Sequence, residues 1–205
     1  MNPRVLSVWV FACLAFAVRG GTEWCRLPTA TCASTYATGT KPTARSGHTS
    51  LVYGDYMVVF GGHGGNNSND LHKLNLTTNE WSGAINTTGT APTARNRHTS
   101  VVYGDYMIVF GGEGDGGRLN DLHKLDLTTN TWSPTINTTG TAPTARRGHT
   151  SVVYGDFMVV FGGYDASGYL NELHKLLLVS LAPASTAPAA TTTPAVTTAG
   201  ATGAT

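Results

Sequence analysis

One segment of this chain occurs three times with few changes. ARSGHTSLVYGDYMVVFGG begins at Ala44, ARNRHTSVVYGDYMIVFGG at Ala94 and ARRGHTSVVYGDFMVVFGG at Ala145. The histidines His48, His98 and His149 mark steps of 50 and 51 residues. Each copy continues through a glycine-rich loop into DLHKLNL, DLHKLDL or ELHKLLL, and the first two finish with TTNEW or TTNTW. Self-similarity of this length means that each copy is one supersecondary unit, unable to bury its apolar face alone and stacked against its neighbour.

Within a copy, HTSLVY and YMVVF are β-rich runs separated by Gly54-Asp55, a pair suited to a tight hairpin. Tyr56 to Phe60 is apolar on both alternating faces, which predicts a strand sandwiched between neighbouring units. Each side chain fully buried there contributes about 1.5–3 kcal/mol. Gly61 and Gly62 follow where the chain must leave the strand abruptly and side chains would collide. DLHKLNL supplies a third strand, and the turn Thr77-Thr78-Asn79 leads to a fourth carrying Trp81, large enough to cap the outer part of the unit. The expectation is an all-β chain with four strands per repeat.

This pattern resembles the kelch family, whose blades carry a double glycine after an apolar strand and a tryptophan near the end. The matching residues are Gly61-Gly62, Gly111-Gly112, Gly162-Gly163, Trp81 and Trp132, and the resemblance covers about residues 24 to 179. It implies kelch-type β-propeller blades at about residues 45–94, 95–145 and 146–179, inside a domain spanning 21–181. Repeat three ends in LHKLLLVSLAP without a fourth-strand tryptophan, whereas Trp24 opens a lone fourth strand before repeat one. By the strand-swapped closure common in the family, that N-terminal strand is expected to complete the last blade. Three blades are too few for a ring, because closed propellers have about four to eight. Three outcomes stay open: a homodimer sharing a six-bladed ring, an open arc with unpaired strand edges, or a fragment of a longer propeller.

The flanks predict export. Residues 1–20 place Arg4 before an apolar stretch from Val5 to Val18 and an Ala15-Phe16-Ala17 processing pattern, as in a secretory signal peptide. The stretch stops at Arg19, short of the roughly 20 apolar residues a helical span needs, so no membrane span is expected after cleavage. Cys13 would leave with it, and Cys25 and Cys32 remain as an even pair expected to form one disulfide. Their spacing does not resemble a four-ligand zinc site. Residues 182–205 hold nine Ala, eight Thr and three Pro with no charge, which predicts a disordered, mucin-like tail rather than a core. With 12% charged residues and a net charge of +1, the chain lacks the basic field that a nucleic-acid partner requires.

The candidate sites follow from comparing the copies. His48, His98 and His149 in the first strand, and His72, His123 and His174 in the third, are repeat-locked and read as structural. Blade equivalents are separated by a blade's rotation, so no metal or other cofactor is expected. Arg45, Arg95 and Arg146 recur before the first strand, and the kelch resemblance implies that they bond within the propeller. The loops after the double glycines vary freely, and loops on a rigid scaffold are where recognition is built. Contact candidates are therefore His63, Asn67, Glu113, Asp115, Arg118, Tyr164, Asp165 and Tyr169, with weak calcium binding by loop carboxylates as an alternative. N-glycosylation sequons stand at Asn66, Asn75, Asn86 and Asn137.

These features together predict a secreted module that binds a protein or glycan ligand. One alternative is a self-assembling extracellular matrix or wall component, built on pairing of open blade edges. A second is a fragment of an enzyme resembling galactose oxidase. That chemistry needs a tyrosine crosslinked to cysteine together with histidine ligands. Here Cys25 and Cys32 lie outside the repeats and no catalytic dyad stands out, so no enzymatic activity is expected.

Overall fold

Each repeat folds around the hairpin that its glycine pair announces. The structure is a computed structural model that describes residues 37–181. The first sheet contains β1 (Thr38–Thr40), β2 (Thr49–Tyr53), β3 (Tyr56–His63), β4 (Asn67–Asn75) and β5 (Glu80–Ala84), in spatial order β1-β5-β4-β3-β2. The second repeats it with β6 (Thr88–Gly89), β7 (Thr99–Tyr103), β8 (Tyr106–Gly114), β9 (Gly117–Asp126) and β10 (Thr131–Trp132). The third has three strands, β11 (Thr150–Tyr154), β12 (Phe157–Asp165) and β13 (Gly168–Leu177), followed by one 3-10 turn at Val179–Leu181. The three sheets have the strand pattern of the blades that the resemblance implies, and they do not close into a ring. The expected signal segment, Trp24, the expected Cys25–Cys32 disulfide and residues 182–205 lie outside the described residues.

The first two blades add a fifth strand to the expected four, and the third has the three strands of its own that repeat three predicts. In the first two blades a short connector strand joins the outer edge in parallel, Thr38 opposite Glu80 and Thr88 opposite Thr131. A β-carbon on Gly39 would stand 2.1 Å from the Trp81 carbonyl oxygen, and one on Gly89 would stand 2.0 Å from that of Trp132. Only glycine lets the connector lie so close. In blade three no fourth strand is present among the described residues, and a β-carbon on the equivalent Gly140 would meet nothing within 4 Å.

The double glycines behave as their position requires. Gly61 and Gly62 have φ of +64° and +101°, and a β-carbon on either would come within 2.9 Å of neighbouring atoms, Arg95 O and Ser46 O among them. The backbone thus turns where the next blade presses closest, and the Gly62 amide donates to Arg95 O at 2.8 Å.

The core is two clusters, each filling the space between consecutive blades. The first joins Val58, Phe60 and Leu71 of blade one to Met107, Val109, Leu125, Leu127 and Trp132 of blade two. The second joins Val101, Ile108, Phe110 and Leu122 of blade two to Met158, Val160 and Leu178 of blade three. Central-strand residues such as Val58, Val109 and Val160 are buried, as the two-sided apolar runs predict. Trp132 is buried inside the first cluster, while Trp81, on the outward side of blade one, is only half-buried.

Polar contacts repeat at the two junctions. Tyr53 Oη donates to Asp105 at 2.8 Å, and Tyr103 Oη donates to Asp156 at 2.7 Å. Thr49 Oγ1 lies 3.0 Å from His98 Nε2, and Thr99 Oγ1 lies 2.9 Å from His149 Nε2. His98 and His149, each just before the first strand of its blade, are therefore struts between blades, while His48 is exposed. Inside each blade the recurrent arginine binds an acid from the third strand: Arg45 with Asp70, Arg95 with Asp121, Arg146 with Glu172. Arg95 is fully buried and also donates to Gly111 O at 3.0 Å. Burial alone would raise the Asp121 carboxyl, but hydrogen bonds from Arg95 and His123 hold it well below the usual carboxylate range. The arginines are consumed within the fold, as the resemblance implies.

Candidate binding surface

The loop after each double glycine folds back toward the segment that enters the first strand of its own blade. Isolated bridges join Ser46 to His63, Asn96 to Glu113 and Arg147 to Tyr164. The two variable parts of each repeat thereby meet, and neighbouring blades set them side by side.

The predicted contact residues are arranged as follows. His63 is exposed at the end of β3, and Asn67 begins β4. Asn67 Nδ2 donates to Asp115 at 2.8 Å and Asn67 Oδ1 accepts from Asn96 Nδ2 at 2.6 Å, so the loops of blades one and two are tied together. Glu113 accepts from Arg147 of blade three and lies 4.0 Å from Arg97. Arg147 and Arg118 approach the Tyr164 ring, their guanidinium carbons 5.5 and 5.6 Å from its centroid. Tyr164 packs edge-on against Tyr169 at 5.2 Å, and Tyr169 is 94% exposed.

Asp165 departs from the others. It is buried, accepting from Thr144 Oγ1 at 2.7 Å and from the Ser167 amide at 2.7 Å. Those bonds hold its carboxyl below the usual range. Its hydrogen bonds shape the loop. No three His, Cys, Asp or Glu side chains converge as metal ligands among the described residues.

Sequence reasoning overlooked Asn96, Arg97 and Arg147. Their signal was variation inside the otherwise constant entry segment, which reads Arg45-Ser46-Gly47, Arg95-Asn96-Arg97 and Arg146-Arg147-Gly148. Arg97 holds φ of +54° where the other copies place Gly47 and Gly148 at +64° and +66°. A non-glycine residue in that region costs roughly 1–2 kcal/mol. Strain of this kind clusters at functional sites. The Arg97 side chain is 55% exposed and, with Arg147, Phe161, Tyr164 and Tyr169, lines an open cleft of about 750 Å³.

Of the sequons, Asn66, Asn86 and Asn137 are exposed. Asn75 is half-buried, and its Oδ1 accepts from the amides of Thr77 and Thr78, as Asp126 does for Thr128 and Thr129. The turn accounts for Asn75 without a glycan.

The sequence profile of the KLHDC2/KLHL20/DRC7 kelch-repeats domain matches residues 21–199. The chain belongs to the kelch-repeat family. Among its curated relatives, Acyl-CoA-binding domain-containing protein 4 of Arabidopsis thaliana is 33% identical over 146 residues, covering 70% of this chain and 22% of that protein. Kelch domain-containing protein 3 of Rattus norvegicus is 44% identical over 62 residues, covering 29% of this chain and 16% of the relative. Host cell factor of Drosophila melanogaster is 32% identical over 151 residues, covering 68% of this chain and 10% of the relative. This kelch chain thus spans less than a quarter of the length of these relatives. Kelch repeats are in general protein-interaction scaffolds rather than enzymes.

Proposed function

We propose that this kelch protein is an extracellular binding module whose loop face engages a protein partner, with Arg97, Arg118, Arg147 and Tyr169 as the contact set. The observation that carries the reading is Arg97. It occupies a left-handed position that glycine would fill without strain, and it opens onto a cleft rimmed by aromatic rings. Arginine and tyrosine are the side chains most enriched where binding energy concentrates. Export rests on the N-terminal grammar of residues 1–20, and the exposed sequons at Asn66, Asn86 and Asn137 fit a secreted surface.

The test uses the full chain, secreted and purified, as bait in parallel with Arg97→Ala, Tyr169→Ala and, at the opposite end of a strand, Thr78→Ala. A protein partner retained by Thr78→Ala and lost by the other two supports the loop face. Equal capture by all four sinks it, and binding only to immobilised glycans replaces the protein partner with a carbohydrate. Sequencing the N-terminus of the secreted product checks cleavage near residue 20.

A further inference from the structure

The two outermost blades end on different halves of one interface. At both internal junctions the earlier blade contributes a tyrosine, a threonine and a lysine. The later blade contributes an aspartate, a histidine and a serine, together with a turn that accepts the lysine. Tyr53 and Tyr103 reach Asp105 and Asp156. Thr49 reaches His98 and Ser100, and Thr99 reaches His149 and Ser151. Lys73 donates to Leu127 O and Asn130, and Lys124 donates to Leu181 O.

Blade three carries the earlier-blade set again, with nothing among the described residues seated on it. Tyr154 is 78% exposed, and Thr150 and Lys175 are exposed too. Its apolar face is equally bare. Phe161 is 50% exposed where its equivalents Phe60 and Phe110 are 0% and 5%, and Leu173 is 57% exposed where Leu71 and Leu122 are 1% and 4%. Blade one carries the later-blade set: Asp55, His48 and Ser50 are exposed. Beside them stand Val52 and Leu76, whose counterparts Val102 and Leu127 pack in the first core cluster. Contiguous apolar surface of this kind marks an interaction site.

The three described blades cannot mate their own two ends, since they fall short of the about four to eight that close a ring. Two copies supply six blades, and three copies would overshoot. The geometry points to a head-to-tail pairing of two copies, in which blade three of each packs on blade one of the other and closes a six-bladed ring. Tyr154 of one copy would donate to Asp55 of the other, Thr150 would meet His48 and Ser50, and Lys175 would reach the turn after Leu76. Phe161 and Thr150 also line the cleft of the loop-face reading, so a ring would reshape that cleft, but its test reads molar mass rather than partner binding and the two can fail separately.

The experiment is sedimentation velocity on the full secreted chain over a concentration series, with two single-face variants. Phe161→Asp blocks the blade-three face and Val52→Asp blocks the blade-one face. Both sites are exposed, so the fold is expected to survive, and circular dichroism checks it. The expected result is a dimer for the parent, monomers for each variant alone, and a dimer restored by mixing the two, because one intact junction remains available. Tyr154→Phe and Asp55→Asn each weaken the parent dimer by about fivefold per junction, and the double variant is no weaker than either alone. A monomeric parent at all concentrations overturns the ring. So does an open-ended series of oligomers, or a Val52→Asp variant that still dimerises alone, which would mean face-three-to-face-three pairing.

Discussion

At the scale of single residues, the arginines divide into those the fold consumes and those it spares. Arg95 is wholly buried and depends on Asp121, bound at 2.7 and 2.8 Å, for its charge. Removing one partner of a buried pair leaves an uncompensated charge and costs about 3–5 kcal/mol. Asp121→Ala is therefore expected to lower the urea midpoint by that equivalent, and a loss under 1 kcal/mol would mean that water reaches the guanidinium. Arg97 is the opposite case. Arg97→Gly relieves a left-handed backbone and should stabilise the chain by about 1 kcal/mol, while reducing partner binding at the loop face. A variant less stable than the parent would show that the arginine stem contributes more by packing than its backbone costs. The structural arginines were legible in the sequence because they recur unchanged. Arg97 was not, because its meaning lies in a φ value that only the comparison with Gly47 and Gly148 exposes.

At the scale of elements, the hairpins, the buried central strands and the glycine exits were legible from composition and alternation alone. The parallel connector strands were not. Thr38-Gly39-Thr40 and Thr88-Gly89 have no apolar period to betray a strand, and their pairing depends on the partner carbonyls of Trp81 and Trp132. The recurrence of TGT in all three repeats was the available signal. It separates two contributions of the same glycine. Gly89 and Gly140 share a positive φ, +78° and +82°, but only Gly89 is pressed against a neighbouring strand. Gly140→Ala should cost only the backbone strain, about 1–2 kcal/mol. Gly89→Ala adds a collision at 2.0 Å that forces β6 off β10, and about 2–4 kcal/mol in total is expected. Equal losses in urea denaturation would mean that the parallel strand adds nothing to blade stability.

At the scale of the whole molecule, the blades are held by junctions that each contain one buried histidine, and this makes cohesion dependent on pH. Burial first, then the charge of Arg95 and the neighbouring His149 and His48, pushes His98 down to about 3. Burial and Arg146 push His149 down to about 4, against an opposing hydrogen bond with the Phe110 backbone. In the unfolded chain both imidazoles protonate near the ordinary value of about 6.5. Their contribution to stability is thus fully present above pH 6.5. It is lost as pH falls from there toward 4 and then 3, because the unfolded chain binds protons that the folded one refuses. The slope is about 1.4 kcal/mol per pH unit for each histidine. Asp70 and Asp121, held well below the carboxylate range, keep their contribution through this window and begin to lose it only below about pH 4. Urea midpoints measured at pH 7, 6, 5 and 4.5 should therefore fall steadily below 6.5. His149→Gln, which keeps a polar end toward Thr99 but cannot titrate, should about halve the slope. A flat profile between pH 7 and 5 would mean that both histidines take up protons inside the folded junctions as readily as in the unfolded chain.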